Sequence, residues 1–158
     1  MDTYNLFDAA ELQDSDATDP DGFRARFARV GRLLGATRIG ATLYDLAPGE
    51  RICPYHYEYN NEEWLLVLDG VPTLRTPSGE RELKPGDVVV FLEGRDGAHD
   101  VANRTGERVR VLMISTKNRP DVSVYPDSDK IGVWPGDDRD NIIVQRSSGV
   151  DYWEGELD

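Results

Sequence analysis

The chain has 158 residues, of which 39% are apolar, and a net charge of −12. That length allows one domain with a real core, while the charge excludes nucleic-acid binding through phosphate neutralisation. No apolar run is long enough to span a bilayer as a helix, and 15 Gly with 9 Pro forecast many turns.

Residues 1–18 are polar and irregular, and residues 1–19 carry six acids and no Lys or Arg. The segment MDTYNLFDAAELQD lacks the basic-then-apolar layout of a signal peptide. The single cysteine, Cys53, cannot form an internal disulfide. Both features fit a cytoplasmic location. Asp19-Pro20 predicts a helix start, with Asp as N-cap and Pro at the first helical position. Phe23, Phe27, Val30 and Leu34 then fall at helical spacing over 21–34, and Gly35 is placed to close the helix. Arg24, Arg26, Arg29 and Arg32 lie mainly off that line and read as a solvated face.

After Gly35 the period changes to two. Strands are predicted at 39–44, 52–59, 64–68, 72–76, 80–83, 88–92, 98–101 and 109–115, with Asn60-Asn61 loosening the chain between the second and third. Pro48-Gly49, Asp69-Gly70, Pro77-Ser78-Gly79, Pro85-Gly86 and the Gly-rich loop 93–97 punctuate them. Eight short strands separated by turn signals make an all-β sandwich or barrel. Beyond Lys117 the chain reads as loops, with one more strand at 142–145, and residues 119–158 hold ten acids against four bases. The acidity of the two ends serves solubility. The organisation expected is an N-terminal arm and helix over 1–36, a β-barrel over 37–118 and an extension over 119–158. That extension would pack on the barrel or on a partner subunit, with Tyr152 and Trp153 contributing.

The stretch GERICPYHYEYNNEEWLLVLDG, residues 49–70, sets His56, Glu58, Glu62 and Glu63 close together beside an apolar strand. His56 and Glu58 share one strand face because side chains repeat every two residues. The chain has two histidines, and the second is His99. A histidine in a strand is more often structural than a ligand, and Glu63 could instead pair with an arginine. If His56 and His99 converge with a glutamate, they form a small metal site. Glu62 should point away and be solvated. Trp64, Leu66 and Leu68 read as packing. Cys53 should face away from His56.

Gly49, His56, Glu58, Glu63 and Gly70 follow the order of the first cupin motif, G-x5-H-x-H-x3/4-E-x6-G. Six residues rather than five separate Gly49 from His56, and Glu58 replaces the second histidine. Gly86, Gly94, His99 and Asn103 follow the second motif, G-x5-P-x-G-x2-H-x3-N, with Leu92 for the proline and two extra residues before His99. Over residues 38–118 the chain therefore resembles the cupin family of double-stranded β-helix, or jelly-roll, barrels. The resemblance implies a divalent metal held by His56, Glu63 and His99, with Glu58 in the fourth ligand position.

Two imidazoles and two carboxylates make a hard, anionic donor set that leans toward Mn(II), Fe(II) or Zn(II) and away from Cu(I). Glu58, if uncoordinated, could act as a general base. Tyr55, Tyr57, Tyr59 and Arg75 are candidates to border the pocket, the tyrosines more as packing. Two functions stay open. One is a metal-dependent enzyme, of oxygenase or isomerase type, on a small organic acid, sugar or aromatic compound. The other is a non-catalytic module that binds or senses a small molecule. The partners expected are a small-molecule ligand and a second copy of the chain, since the sheet edges need covering. Neither nucleic acid nor a membrane is expected.

Overall fold

The computed structural model describes residues 2–8 and 11–156. The strands run β1 (Arg26–Ala28), β2 (Ile39–Leu46), β3 (Tyr57–Glu58), β4 (Glu63–Asp69), β5 (Thr73–Thr76), β6 (Gly79–Glu82), β7 (Val88–Phe91), β8 (Asp100–Ala102), β9 (Val109–Thr116), β10 (Asp121–Tyr125), β11 (Lys130–Trp134) and β12 (Ile142–Gln145). One helical turn, α1 (Val30–Leu33), lies between β1 and β2. The eight strands from β2 to β9 are those predicted, although the second is shortened to two residues by the bends around Pro54.

The strands form three antiparallel sheets, ordered β1-β2-β9-β4-β7, β12-β11-β10-β3 and β6-β5-β8. The five-stranded and three-stranded sheets close on one core. Leu46, Leu65, Val67, Phe91, Val109, Val111 and Met113 come from the first, and Leu74 and Val101 from the second. Alternation makes this possible. Leu65 and Val67 of β4 point inward and are buried, while Trp64 between the turn and the core points outward and is 45% exposed. This is the jelly-roll arrangement expected from the sequence.

At the end of β4 the register shifts between Val67 and Asp69, and Gly70 follows at φ 77°. A Cβ there would lie 2.5 Å from the Arg108 carbonyl oxygen, so the motif glycine is required by both its backbone and its neighbour. Asn103, the last residue of the second motif, is buried. Its Nδ2 donates to the carbonyls of Leu46 and Glu107, and its Oδ1 accepts from Thr105 N. It therefore ties the β8–β9 loop to the end of β2.

The predicted helix over 21–34 is corrected to a turn, a strand and the single turn of α1. The Asp19 carboxylate accepts from Asp16 N instead of capping forward. Pro20 O closes a turn with Phe23 N, and Gly22 has φ 86°. Arg26, Phe27 and Ala28 then pair with Asp45, Tyr44 and Leu43. The open edge of β2 offers these residues backbone partners, and pairing overrides a weak helical period. Tyr4, Leu6 and Leu12 pack with Ala28, Val30 and Leu43 over the outer face of the same sheet.

The region after Lys117 holds more strand than predicted. β10, β11 and β12 form an antiparallel meander, and β10 joins it to the barrel through Ser123 opposite Glu58 and Val124 opposite Tyr57. Tyr152 and Trp153 are exposed and pack edge to face on each other, with centroids 4.7 Å apart. Among the described residues no helix is long and apolar enough to cross a membrane.

Leu65 is fully buried at the centre of the core. Leu65→Ala should lower stability by ~2–5 kcal/mol, whereas Trp64→Ala should cost under about 1 kcal/mol in the monomer. Urea unfolding of both variants checks the assignment of inner and outer faces.

Candidate metal centre

His56 ends the irregular segment before β3, and His99 lies between a 3-10 turn at Arg95–Gly97 and β8. Their backbones pair directly. His56 N donates to His99 O at 3.1 Å, and His99 N donates to His56 O at 2.9 Å. Opposed residues of an antiparallel pair put their side chains on the same face, and the two ring centroids are 4.8 Å apart. Phe91 of β7 stacks flat on His99 at 3.7 Å, and Tyr125 of β10 flanks His56 at 5.9 Å. Glu63 opens β4, opposite Phe91 on one side and Ser115 on the other.

Each imidazole is oriented by its own backbone. His56 Nδ1 lies 3.0 Å from Pro54 O, and His99 Nδ1 lies 2.9 Å from Gly97 O. A carbonyl only accepts, so Nδ1 carries a hydrogen in both rings, and in the neutral imidazole this leaves the lone pair on Nε2. Gly97 can serve His99 because it has no side chain: a Cβ there would lie 1.7 Å from Leu92 O. Both Nε2 atoms face the same Glu63 oxygen, Oε2, at 3.8 Å from His56 and 3.3 Å from His99.

These three ligand atoms all lie within 4.8 Å of one another. His99 Nε2 is buried without a hydrogen-bond partner. Lone pairs of nitrogen and carboxylate oxygen facing each other in a buried site are unfavourable until a proton or a cation lies between them. Burial, then the neighbouring His99, pushes the His56 pKa down, which disfavours the proton there. Bonds of about 2.0–2.2 Å to one ion match donor separations of this size. The residues fit a first-row divalent metal, and the carbonyl contacts on Nδ1 are the usual support for a ligating histidine.

Glu58 stands apart from this group of three. It lies across from Ser123, with its carboxylate 3.5 Å from Ser123 Oγ. Burial first, and then the charges of Glu63 and Asp121, push its pKa up to about 8. It shares with His56 a cavity of about 270 Å³ that also takes in Asn61, Ser123, Tyr125 and Trp134. Trp134 Nε1 donates to Ser123 Oγ at 2.8 Å.

Other residues singled out in the sequence lie elsewhere. Cys53 comes within 3.5 Å of His56, nearer than strand alternation predicts, because residues 52–55 are bends rather than strand. It meets Nδ1, the ring nitrogen turned away from Glu63, and burial holds its thiol well above its ordinary pKa. Glu62 accepts from Trp64 Nε1. Arg75 stacks on Tyr55 and pairs with Asp127, outside the cavity. Tyr57 is buried against Ala98 and Val124, and Tyr59 is exposed. Asn60-Asn61, predicted to loosen the chain, instead clamps it, since buried Asn61 accepts from Asn118 N at 2.8 Å and Thr116 Oγ1 at 3.0 Å. The sequence reading missed Ser123, Tyr125 and Trp134. The alternation in Asp121–Tyr125 was a usable signal, because it puts Ser123 and Tyr125 on one face of a strand.

Residues 42–115 match the cupin domain family. No curated protein matches the chain. Among solved structures, a candidate sugar phosphate isomerase from Acidithiobacillus ferrooxidans superposes with a TM-score of 0.83 at 22% identity, covering 96% of this chain and 95% of that one. A sugar phosphate isomerase of the cupin superfamily from Silicibacter pomeroyi gives 0.78 at 22% identity, over 94% and 96%. A polyketide cyclase from Streptomyces resistomycificus gives 0.60 at 20% identity, over 76% and 82%. At these identities the likeness concerns the fold.

His56→Ala and His99→Ala should each lower Mn(II), Fe(II) or Zn(II) affinity by about 10-fold or more, while Cys53→Ser should leave it unchanged. Metal analysis by mass spectrometry, with competition against a chelator, reads all three.

Proposed function

The chain belongs to the cupin superfamily, and we propose that it is a metal-dependent enzyme of isomerase type acting on a small sugar or hydroxy acid. The observation that carries this reading is the convergence of His56 and His99 Nε2 on one Glu63 oxygen, with His56 also lining a cavity that holds a separate carboxylate, Glu58. A divalent cation of the Fe, Mn or Zn kind, held by His56, Glu63 and His99, would supply Lewis-acid polarisation of a substrate oxygen.

The chain's own residues do the rest. Glu58 takes a proton from the hydroxyl-bearing carbon next to the polarised carbonyl and returns it to the former carbonyl carbon, while the hydroxyl proton passes to the former carbonyl oxygen. Ser123 sits beside Glu58 and orients its carboxylate. The Tyr125 ring holds His56 in place and keeps bulk water from that side. The near full-length likeness to two proteins described as sugar phosphate isomerases supports this reaction class over oxygenation. The alternative is a non-catalytic binding module with either no metal or a closed metal shell; the position of the Glu58 carboxylate outside the group of three counts against the closed shell.

The partners proposed are this substrate and a second copy of the chain. Trp64, Val88 and Val90 stand on the outer face of the five-stranded sheet, at 45%, 55% and 41% exposure. Such an apolar patch on an edge strand favours pairing of two copies.

A panel of aldoses, ketoses and hydroxy acids incubated with the metal-loaded protein in D2O tests the reaction. A substrate should exchange its proton next to the carbonyl, followed by proton NMR. Glu58→Gln should slow that exchange about 10²-fold or more with metal content retained. Absence of exchange across the panel would remove the isomerase reading. For the assembly, light scattering should give twice the chain mass, and Val90→Glu should shift it to the monomer.

A further inference from the structure

Above the ligand cluster, the rim of the cavity carries two cations, Lys117 and Arg119. Among the described residues neither comes within ion-pair distance of a carboxylate, and the Arg119 guanidinium donates only to Trp134 O, at 3.4 Å. In a chain with 30 acids and 18 bases, two exposed cations left unpaired at the mouth of the candidate site point to a negative charge brought from outside.

The segment that presents them is fixed, not a free loop. Asn61 Oδ1 accepts from Asn118 N and Thr116 Oγ1, and its Nδ2 lies 3.4 Å from Asn118 O. Asn60 Nδ2 donates to Pro120 O at 2.7 Å, and Asn118 Nδ2 donates to Asn60 O at 2.8 Å. Lys117 N donates to Arg38 O at 3.1 Å. Residues 116, 118 and 120 are thus tied to the β3–β4 connection, and the alternate residues 117 and 119 are left to the rim. Preorganised cations lose less entropy on binding than mobile ones.

The cavity is also graded. The pocket's own carboxylates, Glu58 and Asp121, lie deeper than the exposed Lys117 and Arg119. Asp121 is further committed to Asn60 N at 3.0 Å. Between rim and floor the lining is polar, with Asn61, Ser123 and Thr116. At about 270 Å³ the space is below the roughly 300–1,000 Å³ that holds a drug-sized ligand.

We propose that Lys117 and Arg119 form an oxyanion handle, which makes the substrate a small hydroxylated molecule with a phosphate or carboxylate at one end. The charged end sits at the rim and the hydroxylated or carbonyl end reaches Glu58 and the His56–Glu63–His99 group. Arg119 offers a planar fork and Lys117 a point charge, a pairing suited to such an anion. This inference rests on the reading of the cavity as the substrate site.

Calorimetric titration of the metal-loaded protein with ribose 5-phosphate, gluconate and ribose tests it, with metal content measured on the same samples. At least one anion should bind 10-fold or more tightly than ribose, and its affinity should fall as salt is raised. Which of the two anions binds distinguishes a phosphate from a carboxylate. The double variant Lys117→Gln, Arg119→Gln should lose 10-fold or more in anion affinity, with metal stoichiometry and Tm retained. The charge-matched control Arg32→Gln, Arg81→Gln should bind as the parent does. Equal binding of ribose and the anions, no binding of either anion with metal in place, or an equal loss in the control would each overturn the handle. A chain that takes up no metal overturns the metal reading instead, and the comparison of the anions with ribose then decides the handle by itself.

Discussion

The two backbone hydrogen bonds exchanged by His56 and His99 join the segment before β3 to the segment before β8, and the arrangement of the site follows from them. Direct pairing fixes which face both side chains share and how far apart their rings lie. A slip of one residue would turn one ring to the opposite face. The remaining freedom, rotation of each ring, is removed by the carbonyls of Pro54 and Gly97, which choose the tautomer as well as the orientation. Glu63 then needs only to be the inward residue at the start of β4, and β4 is held in register by β7 and β9 on its two sides.

The chain's departures from the common motifs have local physical consequences. Glu58 in place of a second histidine puts a carboxylate close to Glu63, and burial together with that charge holds it well above the usual carboxylate range. The longer loop before His99 carries Gly97, whose missing side chain lets Leu92 O approach. The C-terminal meander is what turns an open barrel face into a cavity. Through β10 it sets Ser123 beside Glu58 and Tyr125 beside His56, and through β11 it brings Trp134 over Ser123.

Charge is distributed to the same end. The acids concentrated at the two ends of the chain are largely on the surface, where they are solvated or paired. Inside, Asp45 pairs with Arg108 and Arg110, one oxygen of Asp100 pairs with Arg51, and Asp121 accepts from Asn60 N. Against that background two features stand out: the convergence of Glu63 with the Nε2 atoms of His56 and His99, and the two exposed cations at the rim of the cavity.

The eight strands β2 to β9, the turn glycines and the three residues His56, Glu63 and His99 could be read from the amino-acid sequence. Alternation of apolar residues fixes which side chains point inward, and two histidines in motif order leave few other ways to spend them. The N-terminal helix could not be read correctly, because a four-residue apolar spacing competes with an open strand edge that exists only once β2 is folded. Asn60-Asn61 looked like a loosening of the chain, and became a clamp because segment 116–121 arrives beside it from far along the sequence. Ser123, Tyr125, Trp134, Lys117 and Arg119 belong to the cavity for the same reason. Local pattern determined the strands and the three residues that converge. Contacts between segments distant in sequence decided the shape of the cavity, the tautomer of its histidines and the charge at its rim, since no periodicity records which strand edge a late segment will pair with.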